Sequence, residues 1–197
     1  MSLKQTPSQT IGPFFSYGLT PEQSNYPNLS SLSSNSLLTE STIGEEIRLE
    51  GRIFDGVGDI VSDAMIEIWQ TDAEGRYPDQ QSSGKTNSNF SGFGRCDTGV
   101  DSQNKYIFET IKPGQIDTET APHINVTIFM RGLLLHLFTR IYFSDEIRSN
   151  STDTVLSAVP VERQKTLIAR KVAGVIPATY VFDIFLQGEK ETVFFDI

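Results

Sequence analysis

The sequence predicts an all-β fold, a β-sandwich with an extended N-terminal arm and one short helix. Three observations lead there. Short runs rich in β-branched and aromatic residues alternate apolar and polar with a period of two, as half-buried strands do. Clusters of Gly, Pro, Asn and Asp break these runs at turn spacing. Helical periodicity is confined to one short stretch, so strands do not alternate with helices as a doubly wound sheet requires. The 197 residues suffice for one well-cored domain plus an extension. The division falls between an arm, residues 1–43, and a sandwich domain, residues 44–197.

The arm has no sustained period. It holds Pro7, Pro13, Pro21 and Pro27 and a low-complexity run from Ser30 to Ser36, a composition that builds no core. Gln9-Thr10-Ile11-Gly12-Pro13-Phe14-Phe15 is nevertheless too apolar for a solvated tail, so something must cover it, either its own domain or a partner subunit.

From Ile47 the period becomes two. Ile47, Leu49 and Ile53 lead to a turn at Asp55-Gly56-Val57-Gly58-Asp59, and Ala64, Ile66 and Ile68 follow, which reads as a strand pair. Residues 73–98 read as a long loop containing Tyr77, and a loop of that length in a compact domain points to function or an interface. Three central strands follow, Tyr106–Ile111, His123–Met130 and Leu133–Phe143, broken at Lys-Pro-Gly and Arg-Gly. Pro160 then introduces the one expected helix, Val161–Ala169, with proline in its first turn where a missing N–H does no harm. Thr179–Leu186 and Thr192–Ile197, joined at Gln187-Gly188-Glu189-Lys190, read as a closing hairpin.

Composition excludes several function classes. Sixteen basic against 25 acidic residues give a net charge of −9, which lacks the electrostatic footprint of a nucleic-acid binder. No run approaches a membrane span. The single cysteine, Cys96, forms no intrachain disulfide, and the N-terminus lacks a secretory pattern, so the expectation is a cytoplasmic protein. Gly84-Lys85-Thr86 resembles the tail of a phosphate-binding loop, but the leading glycine would have to stand where Asp79 is. Cys96 in a Gly-rich β segment reads as packing rather than as a nucleophile.

The histidines are more informative. His123 and Asn125, two apart at the head of a strand, project from one face. Two imidazoles there would make half a metal site, and this chain has one imidazole and one amide. His136, in Leu-Leu-His-Leu, reads as a satisfied core or sheet-face histidine.

The order of motifs is a further clue. Gln9-Thr10-Ile11-Gly12-Pro13-Phe14, Glu67 to Asp72 followed by Gly75-Arg76-Tyr77, Thr110 to Gly114, Pro122-His123-Ile124-Asn125, Phe182-Asp183-Ile184 and the stretch from Thr192 to Ile197 resemble the intradiol ring-cleavage dioxygenases over nearly the whole chain. The resemblance implies a transthyretin-like sandwich of two mixed sheets. Within the family it points to the alpha subunit of a heteromeric enzyme. Its related beta subunit would hold Fe(III), and protocatechuate (3,4-dihydroxybenzoate) and O2 would be the substrates of the complex. Iron-bearing members use two tyrosines and two histidines, a hard anionic and imidazole set suited to Fe(III). The matching positions here are Tyr77, Ile116, His123 and Asn125. Two of the four lack the donor, and Thr120 stands where those members have an arginine. The resemblance therefore implies no cofactor bound by this chain and no catalytic residue in it. It also implies that Thr10, Gly12 and Pro13 of the arm, with Arg131 of Phe-Met-Arg-Gly, help to wall the partner's substrate pocket. Two other readings stand beside it, a self-sufficient dioxygenase with an unusual iron set such as Tyr77, His123 and His136, and a sandwich module for a small hydrophobic ligand.

Overall fold

The computed structural model describes residues 10, 12, 14–21, 23–26, 29, 32–78 and 90–196. Ten strands form it: β1 Glu46–Gly51, β2 Ile53–Phe54, β3 Met65–Gln70, β4 Phe93–Asp97, β5 Tyr106–Ile111, β6 His123–Phe129, β7 Leu137–Phe143, β8 Ile168–Val172, β9 Ala178–Val181 and β10 Ile184–Phe185. The long sheet runs β4-β3-β6-β7-β8-β9-β1-β5, and β10 pairs with β2 in a small second sheet.

β8 turns the long sheet into two layers. It runs parallel to β7 at Ile168 and Ala169, then antiparallel to β9 from Arg170 to Val172. The β4-β3-β6-β7 half is antiparallel throughout, whereas β1 is parallel to β9 and antiparallel to β5. Alternation puts Ile66, Ile68, Ile124, Val126 and Ile128 of one half against Ile47, Leu49, Phe108 and Tyr180 of the other, in one core. Burying a side chain such as Phe108 contributes about 1.5–3 kcal/mol. A polar clamp crosses this core. Gln70 on β3 donates to the Ile111 carbonyl at 2.9 Å and accepts from Thr110 Oγ1 at 2.8 Å, both on β5. Fully buried, it is tolerated because its amide is paired.

The serine-rich end of the arm closes the far side. Arg95 N on β4 donates to the Ser34 carbonyl and Glu109 N on β5 to the Asn35 carbonyl, each at 3.0 Å, while Leu37 N returns to the Glu109 carbonyl at 2.8 Å. Residues 34–37 thus cover two strand edges that would otherwise be open to pairing.

Several expectations require correction. Strands 46–51 and 65–70 do not pair with each other; the turn between them carries the chain from one half to the other, with Val61 N on the Ile53 carbonyl. Part of the expected 73–98 loop is β4, and residues 79–89 lie outside the described residues. The expected helix is α4, Val161–Gln164, followed by a 3-10 turn at Lys165–Leu167, and Ile168 already belongs to β8. Three more short helices occur among the described residues: α1 Phe14–Leu19, α2 Ile147–Asn150 and α3 Thr154–Ala158. Among the described residues the closing hairpin is cut short at its first rung, Thr192 N on the Phe185 carbonyl at 2.9 Å, with Phe185 N on Thr192 Oγ1 at 3.0 Å. β8 reaches only Tyr142 and Phe143, which leaves the start of β7 with an open edge. The tail takes that edge instead, with Phe195 N on the Phe138 carbonyl at 2.9 Å and Thr139 Oγ1 on the Val193 carbonyl at 2.7 Å. Past the Thr192 contact the tail thus leaves β10 for the exposed edge of β7.

Candidate functional site

The outer face of the β3-β6-β7 sheet holds the positions that the motifs singled out. Register puts Trp69, Asn125 and Arg140 side by side across three strands, and His123 beside Tyr142 in the next row. Tyr77 reaches this row because of a tight loop. Asp72 Oδ1 accepts the backbone N–H groups of Glu74 and Arg76 at 2.9 and 3.0 Å, and Gly75 adopts φ +78°. A Cβ on Gly75 would lie 2.0 Å from the Gln115 carbonyl oxygen, so only glycine permits the loop to press against residues 114–115. Tyr77 then stacks on Trp69, with ring centres 5.6 Å apart and planes within 8°.

Asn125 is held from two sides. Its Nδ2 donates to Tyr77 Oη at 3.0 Å, and its Oδ1 accepts from Arg140 Nε at 3.1 Å. His123 is nearly buried, and its Nδ1 lies 2.8 Å from the Ala121 carbonyl, an acceptor that assigns the ring proton to Nδ1. Burial lowers the His123 pKa, and the Arg140 charge adds to that lowering, so the ring is neutral at ordinary pH. Beside it, burial raises the Tyr142 phenol. Ile116 is 40% exposed and offers no donor atom.

The strand head that presents His123 is anchored by a buried acid. Asp153 accepts hydrogen bonds from Ala121 N at 2.8 Å, Leu156 N at 2.7 Å and Tyr142 Oη at 3.0 Å. It therefore caps α3 and fixes the chain entering β6 at once. Leu156, Val159 and Leu167 cover this end of the sheet in a second apolar cluster with Ala121 and Tyr142.

These residues do not fit a ferric centre. One of the four positions has no donor, a second is an amide whose oxygen already accepts from a guanidinium, and that permanent cation stands in the donor row where a metal ion's charge would have to be accommodated. Among the described residues no three His, Cys, Asp or Glu side chains cluster as metal ligands.

The arm residues meet elsewhere. Thr10 Oγ1 donates to the Met130 carbonyl at 3.3 Å and accepts from Gly132 N at 3.1 Å, so the arm docks on the β6–β7 turn. Gly12, half-buried, accepts from Phe15 N as α1 begins, and Pro13 lies outside the described residues. Arg131, 65% exposed on that turn, is ion-paired with Asp63. Thr10, Gly12 and Arg131 thus share one region, but Arg131 lies six residues beyond Asn125, about 20 Å of extended chain. His136 lies at the same end and is exposed, which excludes the core reading and leaves the sheet-face one. Its ring packs at 5.5 Å from Phe129 and 4.5 Å from Phe138.

Sequence reasoning missed Arg140 and Asp153. A charged residue inside the apolar run Leu-Phe-Thr-Arg-Ile-Tyr-Phe is a signal, but its meaning depends on the register that sets it beside Asn125.

A family model described as Dioxygenase matches residues 25–188. The chain belongs to the intradiol dioxygenase family. Relatives extend over the full length. The chain is 49% identical to the protocatechuate 3,4-dioxygenase alpha chain of Burkholderia cepacia, over 100% of this chain and 99% of that one. It is 40% identical to the alpha chain of Pseudomonas putida, over 98% and 97%. The Burkholderia cepacia beta chain is 31% identical over 82% of this chain and 72% of that one. Among solved structures, the dioxygenase domain of a carbohydrate-binding fusion protein from a Streptomyces species superposes with a TM-score of 0.61 at 23% identity, covering 96% of this chain and 100% of that one. Catechol 1,2-dioxygenase from an Acinetobacter species superposes with a TM-score of 0.60 at 20% identity, covering 76% and 55%. At that identity the structures attest the intradiol sandwich fold alone. No helix among the described residues is long and apolar enough to cross a membrane.

Proposed function

We propose that this chain is the alpha subunit of a heteromeric protocatechuate 3,4-dioxygenase, an oxidoreductase in which both atoms of O2 enter 3,4-dihydroxybenzoate to give 3-carboxy-cis,cis-muconate. The full-length identity to two alpha chains, against weaker and partial identity to a beta chain, supports this reading most directly. In it the beta subunit holds Fe(III), which supplies Lewis acidity toward the catechol diol. This chain contributes shape. The donor row is relic, with Asn125, Arg140 and Tyr77 locked in a hydrogen-bonded set of their own.

Residues 1–43 would reach the beta subunit, and Thr10, Gly12, Pro13 and Arg131 would wall its pocket. Docking of Thr10 on the Met130–Gly132 turn supports a common role for arm and turn. An exposed guanidinium suits a substrate that differs from catechol by a carboxylate. Geometry disfavours an iron set of Tyr77, His123 and His136, because His123 pairs with Tyr142 at one end of β7 and His136 precedes its other end, about 20 Å away.

The test is co-expression with an iron-bearing beta-type relative. Co-purification in equal amounts, with O2 uptake on protocatechuate that neither chain gives alone, is the expected result. Iron and turnover in this chain by itself would overturn the reading.

A further inference from the structure

We propose that the groove beside Arg140 is a binding site for a small aromatic carboxylate. The groove encloses about 480 Å³ on the outer face of β6 and β7, within the range of small-molecule sites of roughly 300–1,000 Å³. Trp69, Phe138, Val155 and Phe195 supply apolar walls, and Asn125 and Arg140, with Thr127, Thr139 and Asp196, supply polar groups.

Arg140 is the unusual element. Other partly buried cations of the sheets have acid partners: Arg95 with Glu67, Lys105 with Glu50, Lys112 with Asp145 and Glu146. Among the described residues Arg140 has no side-chain carboxylate within ion-pair distance, although the chain carries a net charge of −9. Its Nε is committed to Asn125 Oδ1, which fixes the plane of the guanidinium. The neighbouring Tyr142 hydroxyl donates to Asp153 and is itself hydrogen-bonded by the Arg140 guanidinium, a neutral partner that leaves the Arg140 charge unmatched. A fixed, half-buried guanidinium lining a groove with apolar walls is one half of a forked ion pair.

The walls decide what bears the other half. An inorganic anion would leave the aromatic surface uncovered, whereas a benzoate-sized ring covers it and stacks against the rings it meets. Asp196, the one acid among the described residues of the lining, disfavours a second negative group and so selects against phosphate esters and dicarboxylates. The inferred ligand is a monocarboxylate on a single aromatic ring.

The experiment uses the full-length chain expressed alone, with 4-fluorobenzoate observed by fluorine NMR and 4-fluorobenzamide as the neutral isostere. Saturable binding of the acid, with the amide at least about tenfold weaker, is expected, since only the acid gains the charge-assisted fork. Arg140→Met should abolish the preference for the acid. Val155→Trp, which fills the slot from another wall without touching the cation, should weaken both probes. If Arg140→Met does not fold, loss of binding in Val155→Trp together with the acid-over-amide preference still supports the site. Equal affinity for acid and amide, binding unaffected by Val155→Trp, or no saturable binding would each overturn it.

Discussion

Replacing Asp153 by alanine tests whether the architecture of the relic site depends on one buried carboxylate. Asp153 is fully buried and takes three hydrogen bonds, two from backbone N–H groups at the head of β6 and the first turn of α3, and one from the Tyr142 hydroxyl. Alanine removes the cap of α3, a loss of about 1 kcal/mol. It also leaves the Ala121 N–H and the Tyr142 hydroxyl buried without an acceptor, at about 1–3 kcal/mol each. Because the three bonds share one group they do not add fully, and the expected loss is about 3–5 kcal/mol. For a chain of this size that lowers Tm by about 6–20 °C, at roughly 2–4 °C per kcal/mol. Tyr142→Phe deletes one donor and leaves the carboxylate its two N–H partners, so about 1 kcal/mol is expected. Urea denaturation of wild type, both single variants and the double variant completes a thermodynamic cycle. Asp153→Ala within 1 kcal/mol of wild type would refute the reasoning, as would full additivity of the pair.

Three further outcomes are expected. Ile116→Tyr with Asn125→His should not bring stoichiometric iron while Arg140 remains, and adding Arg140→Gln should raise metal uptake, read by metal analysis and by tyrosinate colour. Burial pushes the Asp145 carboxyl up, but hydrogen bonds from Lys171, Tyr180 and Lys112 outweigh it and hold the group down at about 2. A lowered folded pKa contributes stability above the ordinary carboxylate value of about 3.9 that is lost as pH falls toward the folded value, so Asp145→Asn should flatten the decline of the urea midpoint between about pH 4 and 2; an unchanged slope would refute the assignment. Arg131→Ala in the reconstituted complex should raise KM for protocatechuate by the equivalent of about 1.5–3 kcal/mol if a direct charge-assisted bond is lost. An unchanged ratio of kcat/KM for protocatechuate and catechol would leave Arg131 as a turn charge paired with Asp63.

Much of the sandwich was legible in the sequence because period-two alternation and turn residues are local. β1, β3, β5 and β6 begin and end close to where Ile47, Ile66, Tyr106 and His123 announce them. Partner choice was not legible. The 46–51 and 65–70 strands look like neighbours and lie in different halves, and the tail looks like half of a hairpin yet completes the edge of β7. Such choices follow from which strand edges remain open after the core has closed, a property of the whole sheet.

The candidate site divides in the same way. The family resemblance, with residue chemistry, implied that Ile116 lacks a donor and that Asn125 stands in place of an imidazole. It could not show that Arg140 stands in the donor row or that Asp153 anchors the strand bearing His123. Those relations join residues 15 and 32 positions apart, and only strand register and the docking of α3 bring them within hydrogen-bond distance. A side chain's type is a local fact, whereas its charge environment is the sum over everything the fold packs around it.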